Sequence, residues 1–209
     1  MLQSFDFFKI EGIHEITVKD AAPFILQLHY AKRMPSISYA FGLFSNGEII
    51  GVVCFGTPAS NPLCRGICGE IHAGKVLELN RLVLLYNRKN EASKLVGGAI
   101  KKLPKPKIIV SYADTAQNHI GYVYQATNFL FTGTTAARSD MAAINGKHPR
   151  HHAGDRENRV PRSPKHRYVF FHANKKEKRI LKESLRYPII HDYPKREKKQ
   201  DNEVSHRCA

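Results

Sequence analysis

Apolar and polar residues follow one another along this chain in patterns typical of short strands separated by helices. The clearest pattern is a hairpin in "SYAFGLFSNGEIIGVVCFGTP", where two apolar runs flank Asn46-Gly47. Asparagine and glycine both tolerate the positive φ of a tight turn, so this segment predicts two antiparallel strands. Other runs predict an extended segment near the start and three later strands. They are "FFKIEGIHEITV", "VLELNRLVLLY", "KIIVSYADT" and "RYVFFHA".

Apolar residues at three-to-four spacing predict four helices between and after these strands. Asp20 is the expected N-cap of the first helix. The segment "SNPLCRGICGEIHAGK" is rich in Gly, Cys and Pro and is predicted to be a loop. The predicted helices are "KDAAPFILQLHYAKRM", "SKLVGGAIKKL", "QNHIGYVYQATNF" and "NKKEKRILKESLRY".

This order of elements predicts a mixed α/β domain that resembles the Gcn5-related N-acetyltransferase (GNAT) architecture. In that architecture the sheet splays between two central strands, and the helix after one of them presents its N-terminus to the CoA pyrophosphate. Residues 1–173 are the predicted catalytic domain, and residues 174–209 a charged helix with a disordered tail. A fold of this kind does not by itself fix a reaction.

Positive charge is the outstanding feature of the composition. The 209 residues contain 33 Lys and Arg against 18 Asp and Glu, a formal net charge of +15. Residues 145–209 hold 18 of the basic and 8 of the acidic residues, so +10 of this charge lies in the last third. Such an excess predicts a nucleic acid partner, with a basic loop at about 145–167 as its contact. The alternative is a solvated basic surface without a dedicated partner.

The four cysteines do not suggest a disulfide scaffold in a chain of this length. Cys64, Cys68 and His72 are spaced as a possible metal loop, although the spacing is looser than that of zinc sites. No apolar run is long enough to span a membrane and the start lacks the features of a signal peptide, so a cytoplasmic location is expected. No pattern for a nicotinamide or flavin cofactor is found.

Asp114 and Tyr124 are the first candidates for a reactive site. Asp114 follows a predicted strand, and sites in α/β sheets form at the carboxyl ends of strands. Tyr124 lies ten residues later on a predicted helix, which can bring its hydroxyl near the Asp114 carboxylate. The alternatives are that Asp114 only caps the next helix and that Tyr124 belongs to the core.

Two further groups of residues are candidates for ligand binding. Arg81 interrupts an apolar strand, and a buried guanidinium needs a partner: either Glu78 or Glu70, or a ligand at the open edge of the sheet. Arg88, Lys89 and Ser93 precede or begin a helix whose N-terminus can hold a pyrophosphate, although the glycine-rich acetyltransferase signature is missing. An ordinary capped helix is the alternative.

His29, Asp114 and His119 together make a possible two-histidine, one-carboxylate iron set, with a structural role for His29 as the alternative. Basic residues near this set and in the turn-rich segment are expected to contact DNA phosphates rather than to stack on single strands. These residues are Lys32, Arg33, Lys147, Arg150, His151, Arg159, Arg162 and Lys165.

Three segments of this sequence resemble the Mom family of bacteriophage DNA-modification proteins. They are "LHYAKRMP…YAFGLF…GVVCFGTP", "LELNRLVL" and "SYADTAQNHIGYVYQATNFLFTG", with "HRYVFF" as a later match. The resemblance implies a GNAT-like fold and conversion of adenine in duplex DNA to N6-carbamoylmethyladenine, which protects phage DNA from host restriction endonucleases. The family's important residues map onto Asp114, Tyr124, Arg81, His29 and Tyr30, and less securely onto Ser93.

The implied chemistry gives these residues roles. Asp114 can accept a proton from adenine N6, and Tyr30 or Tyr124 can stack on a base flipped out of the duplex. Arg81 can bind the donor as charge develops. Acetyl-CoA is one candidate donor, but acyl transfer to N6 gives an amide, whereas a carbamoylmethyl group is attached through its CH2. A different donor or a step at the α-carbon is therefore required, and an iron ion held by His29 and a carboxylate is one route.

Two other functions remain open at this point. One is an acyl-CoA-dependent N-acetyltransferase that acts on a protein or a small amine, for which the basic tail is incidental. The other is a DNA-binding protein without enzymatic activity, which leaves Asp114 and Tyr124 without a role. The identity of the product separates these hypotheses.

Overall fold

A computed structural model describes residues 10–141 and 159–195 of the protein. Its strands form one large sheet and one two-stranded sheet. The described strands are β1 (Gly12–Glu15), β2 (Tyr39–Ser45), β3 (Glu48–Gly56), β4 (Val76–Leu84), β5 (Lys107–Asp114), β6 (Leu130–Thr134), β7 (Arg138–Met141), β8 (Arg159–Arg162) and β9 (Lys165–His172).

The large sheet has seven strands in the order β1-β2-β3-β4-β5-β9-β6, and β7 pairs with β8 separately. All neighbouring strands are antiparallel except β4 and β5, which are parallel. The last strand in the chain, β9, is therefore inserted between β5 and β6. The described helices are α1 (Val18–Pro23), α2 (Asn61–Cys68), α3 (Glu91–Lys102), α4 (Tyr122–Ala126) and α5 (Lys175–Glu183).

The parallel pair β4–β5 is joined over a short stretch only. Its register pairs are Val76 with Ile108, Leu77 with Ile109 and Glu78 with Val110, although both strands continue for several residues beyond them. The strands therefore diverge toward their carboxyl ends, as the predicted splayed sheet requires. We call the paired part (76–78 and 108–110) the closed end, and the diverging part (80–84 and 111–114) the open end.

Helices cover both faces of the sheet. On one face, Leu95, Val96 and Ala99 of α3 pack with sheet residues such as Phe55. On the other face, α2 and α5 contribute Ile67 and Leu181 to a second cluster. Successive strand residues point to opposite faces, so Ile109 lies in the first cluster and Ile108 and Val110 in the second. The predicted mixed α/β sheet flanked by helices is confirmed.

The structure also confirms the hairpin and the final helix. Asn46 and Gly47 both have positive φ, at 53° and 84°, and connect the paired residues Ser45 and Glu48. The charged helix is α5, capped by the Asn174 side chain. No helix in the described residues is long and apolar enough to cross a membrane.

The prediction of a loop at 60–75 is wrong, because this segment contains α2 and a 3-10 turn, Glu70–Lys75. Cys64, Ile67 and Cys68 are buried at three-to-four spacing, and this apolar face holds the helix against the core. Pro62 stands in the first turn, where its missing N–H costs no hydrogen bond. The Gly-, Cys- and Pro-rich composition of the segment favours a loop and hides the helical spacing of its apolar residues.

The N-cap of the first helix lies three residues before the predicted one, and the helix also ends earlier than predicted. Thr17 is its N-cap, and Asp20 is the third helical residue of a capping box. After Pro23 the chain continues as a π-helical turn, Phe24–Leu28, and His29 is extended. The helix predicted at 117–129 is likewise reduced to α4, because Gly121 precedes it with a φ of 78°.

The predicted basic loop at 145–167 is partly strand, since it includes β8 and the start of β9. Lys147, Arg150 and His151 lie outside the described residues, as does the tail after residue 195. The domain boundary at residue 173 stays a prediction.

Candidate functional site

The open end of β4–β5 brings together most of the residues singled out in the sequence. β5 ends at Asp114, β4 supplies Arg81, and the segment after the π-helical turn supplies His29 and Tyr30. A 3-10 turn, Thr115–Gln117, follows β5 and leads to His119. The β4–β5 pairing has ended before these positions, and the unpaired parts of the two strands carry polar side chains.

Asp114 is held by three donors. Its Oδ1 accepts hydrogen bonds from the Ser163 hydroxyl and, at 3.1 Å, from the Ala116 backbone N–H. Its Oδ2 forms an ion pair with the Lys165 ammonium. Burial alone raises the pKa of Asp114, but the hydrogen bonds from Lys165 and Ser163 outweigh burial and lower it. The carboxylate is thus ionised, and the predicted capping role is one of several.

His29 and Tyr30 form a stacked pair, with ring centroids 4.4 Å apart. The His119 ring meets Tyr30 edge-on at 5.9 Å. The Tyr30 ring is 51% exposed. Partial burial of its hydroxyl and the charge of Asp114 raise the pKa of Tyr30, which places the phenol within electrostatic range of the carboxylate. Tyr30 is therefore a half-exposed aromatic residue within electrostatic range of a held carboxylate.

Tyr124 is buried and faces the sheet rather than Asp114. Its ring packs on Phe129 at 5.4 Å and on Tyr168 at 5.2 Å, and its hydroxyl bonds to Ser111. Burial raises the pKa of Tyr124 to about 12. The sequence alternative, Tyr124 as a core residue, matches these contacts.

Arg81 and its neighbour Asn80 hold the segment that carries His29 and Tyr30. Arg81 Nη2 donates to the Arg33 carbonyl at 3.0 Å, and Arg81 Nη1 to its neighbour's carbonyl at 2.6 Å. Asn80 Nδ2 donates to the Ser36 carbonyl at 2.7 Å. Arg81 is not hydrogen-bonded to Glu70, which pairs with Arg65.

Two buried atoms at the open end have no hydrogen-bond partner among the described residues: Asn80 Oδ1 and Arg81 Nε. Asn80 Oδ1 is an acceptor and Arg81 Nε is a donor, and the two residues are adjacent in the chain. Buried polar groups are normally satisfied, and unsatisfied ones mark places where a ligand or water completes the structure.

The predicted iron set does not fit the structure. No three His, Cys, Asp or Glu side chains in residues 10–141 and 159–195 are arranged to hold a metal. Burial and the charges of Arg81 and His119 lower the pKa of His29 to about 4, so its ring is neutral near pH 7. His29 Nδ1 accepts from the Ala31 N–H at 3.0 Å, which puts the hydrogen on Nε2 and leaves no free lone pair. Asp114 is already engaged by Lys165 and Ser163.

Side chains at the start of α3, which is predicted to bind a pyrophosphate, bond to the turn that precedes the helix and do not cap its free N–H groups. The Glu91 carboxylate accepts from the Arg88 backbone N–H at 2.8 Å, and its other oxygen lies 3.9 Å from the Arg88 guanidinium. The Ser93 hydroxyl donates to the Asn90 carbonyl at 3.1 Å. A phosphate at this helix start would meet the negative charge of Glu91. Pyrophosphate binding by Arg88, Lys89 and Ser93 stays a prediction, as does the alternative of an ordinary capped helix.

The basic residues predicted to bind DNA divide into two groups. Lys165 pairs with Asp114, Arg162 with Asp140 at 3.2 Å, and Arg159 Nε donates to Ser139 Oγ at 2.7 Å. Lys32 is exposed beside Tyr30 and has a φ of 40°, in the left-handed region. Contact with DNA stays a prediction for both groups.

The Cys64, Cys68 and His72 segment is structural. Cys64 and Cys68 are buried in the core cluster of α2, and Cys68 Sγ donates to the Leu181 carbonyl at 3.6 Å. Burial raises the pKa of Cys68 to about 11, so the thiol stays protonated. His72 Nδ1 lies 3.4 Å from the Lys75 ammonium.

Three residues of the site were missed or assigned elsewhere from the sequence. Asn80 interrupts the apolar strand next to Arg81, and this polarity was the available signal. Lys165 was assigned to DNA because it lies in a basic run. Ser163 carries no local signal, because it reaches Asp114 only through the pairing of β9 with β5.

Comparison with known proteins identifies the family of this chain. The profile of the Mom protein family matches residues 11–195. The chain belongs to the Mom protein family. This Mom-family chain is 31% identical over 112 residues to "Methylcarbamoylase mom" of Escherichia phage Mu. The match covers 51% of this chain and 46% of that protein, so the chain spans about half the length of this curated relative.

Solved structures similar to the Mom-family chain include two acetyltransferases. One is Arabidopsis thaliana NAA60 in complex with acetyl-CoA, 14% identical, covering 76% of this chain and 97% of that one, with a TM-score of 0.49. The other is a Bacillus subtilis acetyltransferase in complex with CoA, 16% identical, covering 77% and 97%, with a TM-score of 0.46.

Proposed function

We propose that this protein is a phage DNA-modification enzyme that converts adenine in duplex DNA to N6-carbamoylmethyladenine and so protects the DNA from restriction endonucleases. Membership of the Mom family carries the proposal. The name of the phage Mu relative, a methylcarbamoylase, agrees with it. The net charge of +15 suits a polyanionic substrate.

The proposed reaction replaces one N6–H bond of adenine by an N6–C bond. The donor is a molecule whose α-carbon carries an amide group and a leaving group. The N6 lone pair attacks this carbon, and the leaving group departs with the bonding electron pair. The proton of N6 is then transferred to a base. Transfer of a simple acetyl group would instead form an amide, so acetyl-CoA alone does not supply this product.

Asp114 is the proposed base for N6. Its carboxylate is ionised and fixed at the open end, where it can accept the N6–H and then the proton. A lowered pKa makes Asp114 a weak base in the ground state, but N6 becomes acidic as the new bond forms. The pairing with Lys165 keeps the carboxylate ready in its charged form at neutral pH.

Tyr30 is the proposed platform for the flipped base. A base in duplex DNA must leave the stack to reach a protein side chain, and an exposed aromatic face can replace the lost stacking. Tyr30 offers such a face, supported from behind by His29. Arg81 and Asn80 hold the segment that carries this pair through the Arg33 and Ser36 carbonyls. Tyr124 supports the site through Ser111.

Nucleoside analysis after expression in bacteria tests the proposal. We expect plasmid DNA from expressing cells to contain deoxyadenosine with a mass gain of C2H3NO and to resist cleavage at several adenine-containing restriction sites. Unmodified DNA from cells with well-expressed, folded protein contradicts the proposal. Acetylation of a protein or small amine with unchanged DNA supports the N-acetyltransferase alternative instead.

A further inference from the structure

Exposed apolar side chains are concentrated next to the candidate site. Of the twelve large apolar side chains that are exposed in the described part of the chain, four lie between residues 26 and 34. Their exposed fractions are 44% for Leu26, 53% for Leu28, 51% for Tyr30 and 38% for Met34. Single exposed apolar residues are ordinary, but four within one short segment that carries candidate site residues indicate a binding surface.

The backbone on both sides of Leu28 is fixed. Leu28 ends the π-helical turn, and the next residue, His29, donates its N–H to the Phe24 carbonyl at 3.1 Å. The His29 carbonyl then accepts from the Lys32 N–H at 2.9 Å, which closes a turn around Tyr30. Leu28 is therefore an exposed aliphatic side chain on a rigid support, two residues before the proposed base platform.

The surroundings of this cluster are basic. Lys32 and Arg33 lie two and three residues after Tyr30, and Lys32 is exposed. Aliphatic side chains flanked by Lys and Arg are the combination that DNA-distorting proteins insert between base pairs, with the basic residues at the phosphates. Charge complementarity thus favours DNA as the partner of this surface over a second copy of this basic chain.

We propose that Leu28 is a wedge that enters the DNA base stack at the position left by the flipped adenine, with Leu26 and Met34 packing against the adjacent base pair. This proposal rests on the proposed function. The base that leaves the stack lies on Tyr30, and Leu28 fills the gap behind it. Filling the gap lowers the cost of unstacking, which is otherwise a few kcal/mol.

Helical unwinding of plasmid DNA tests the wedge without donor, chemistry or knowledge of the target sequence. Nicked plasmid is sealed by DNA ligase in the presence of increasing full-length protein, and the change in linking number is read from the topoisomers after the protein is removed. We expect the wild-type protein to unwind the DNA. The Leu28→Ala variant is expected to bind the same plasmid but to unwind it less, by about twofold or more per bound protein.

Two further variants complete the experiment. Leu28→Met keeps a long apolar side chain and is expected to unwind like the wild type. Ile71→Ala removes an apolar side chain that is 88% exposed in the turn leading into the closed end of β4, and it is also expected to unwind like the wild type. Unfolding midpoints equal to that of the wild type confirm that all variants are folded.

Three outcomes overturn the wedge. The first is binding by the wild type without unwinding, and the second is equal unwinding by Leu28→Ala and the wild type. The third is a folded Leu28→Ala protein that loses a self-association shown by the wild type, because a second copy would then cover this surface. If cells contain modified deoxyadenosine but the protein does not unwind DNA in vitro, the wedge proposal fails and the proposed reaction stands. If the protein unwinds DNA but no modified nucleoside forms, only the proposed reaction fails.

Discussion

The two ends of the β4–β5 pair differ in almost every physical property. At the closed end, Val76 and Ile108 are paired and buried, and α2 covers them with Ile67. At the open end the strands have separated, Asp114 is ion-paired with Lys165 of β9, and two buried atoms of β4 have no hydrogen-bond partner among the described residues. One pair of strands thus supplies a packed scaffold at one end and reactive groups at the other.

The difference follows from where the strand pairing stops. Backbone hydrogen bonds and apolar packing stabilise the closed end, and its thiols are shielded and protonated. Polar side chains at the open end must find partners among loops, which Asn80 and Arg81 do through the Ser36 and Arg33 carbonyls. Substitutions at the closed end should therefore change stability most, whereas substitutions at the open end should change stability less and should also alter its pH dependence, the order of the loops and activity.

The largest expected effect on stability is at the closed end. Ile67→Ala removes a fully buried side chain from α2 and should lower the free energy of unfolding by about 2–5 kcal/mol. Urea denaturation measures this change. The matched control is Ile71→Ala, whose side chain is exposed and which should change stability by about 0.5 kcal/mol or less. Equal effects of the two substitutions would show that α2 does not support the core.

At the open end, Lys165→Met should lower stability by about 1.5–3 kcal/mol near pH 7, because Asp114 loses its charged hydrogen-bond donor. The wild-type pKa of Asp114 is lowered, so its contribution is present above the ordinary value of 3.8 and is lost as the pH falls through the folded-state pKa. The variant should show a weaker loss in this acid range. Parallel stability curves of the two proteins below pH 4 would refute the pairing.

His29 should give a separate pH dependence. Its pKa is lowered from 6.5 to about 4, chiefly by burial, so the unfolded chain binds a proton in this range and the folded protein does not. Its contribution is present above pH 6.5 and is lost as the pH falls toward 4. His29→Gln should remove about 1–2 kcal/mol of this change, since the ring is only partly shielded. Unfolding midpoints of both proteins measured across pH 4–7 test this prediction. An unchanged pH profile in the variant would contradict the burial of His29.

The smallest expected effect is that of Asn80→Ala. Loss of the hydrogen bond to the Ser36 carbonyl should cost about 0.5–1.5 kcal/mol. Trypsin should then cleave after Lys32 and Arg33 several-fold faster, because the segment opens more often. Asn61→Ala at the exposed start of α2 is the control and should leave this cleavage unchanged. Equal cleavage rates for all three proteins would mean that Asn80 does not hold the segment.

Much of the fold could be predicted from local patterns. The hairpin at Asn46-Gly47, the buried strands and α5 each follow from residues within one segment. The predictions differ from the structure in two kinds of place. In α2, a Gly-, Cys- and Pro-rich composition hides the helical spacing of the apolar residues. Before α4, the positive φ of Gly121 shortens the predicted helix.

The candidate site could be predicted only in part. Asp114, Arg81, His29 and Tyr30 stood out because each is polar or aromatic beside an apolar element, and the structure brings them to one end of β4–β5. The partners of Asp114 could not be predicted, because Ser163 and Lys165 reach it through a strand pairing about 50 residues apart in the chain. The position of Tyr124 on Ser111 depends on tertiary packing for the same reason.

The central claim is that the open end is the reactive site. The most direct test is to measure the amount of modified nucleoside after one carboxylate of the protein is substituted. Plasmid DNA is prepared from cells that express the wild type, Asp114→Asn or Asp192→Asn, an exposed carboxylate outside the site. We predict that Asp114→Asn lowers the modified deoxyadenosine by about 100-fold or more while the protein stays folded, and that Asp192→Asn leaves it unchanged. Modification by folded Asp114→Asn protein at the wild-type level would contradict the account.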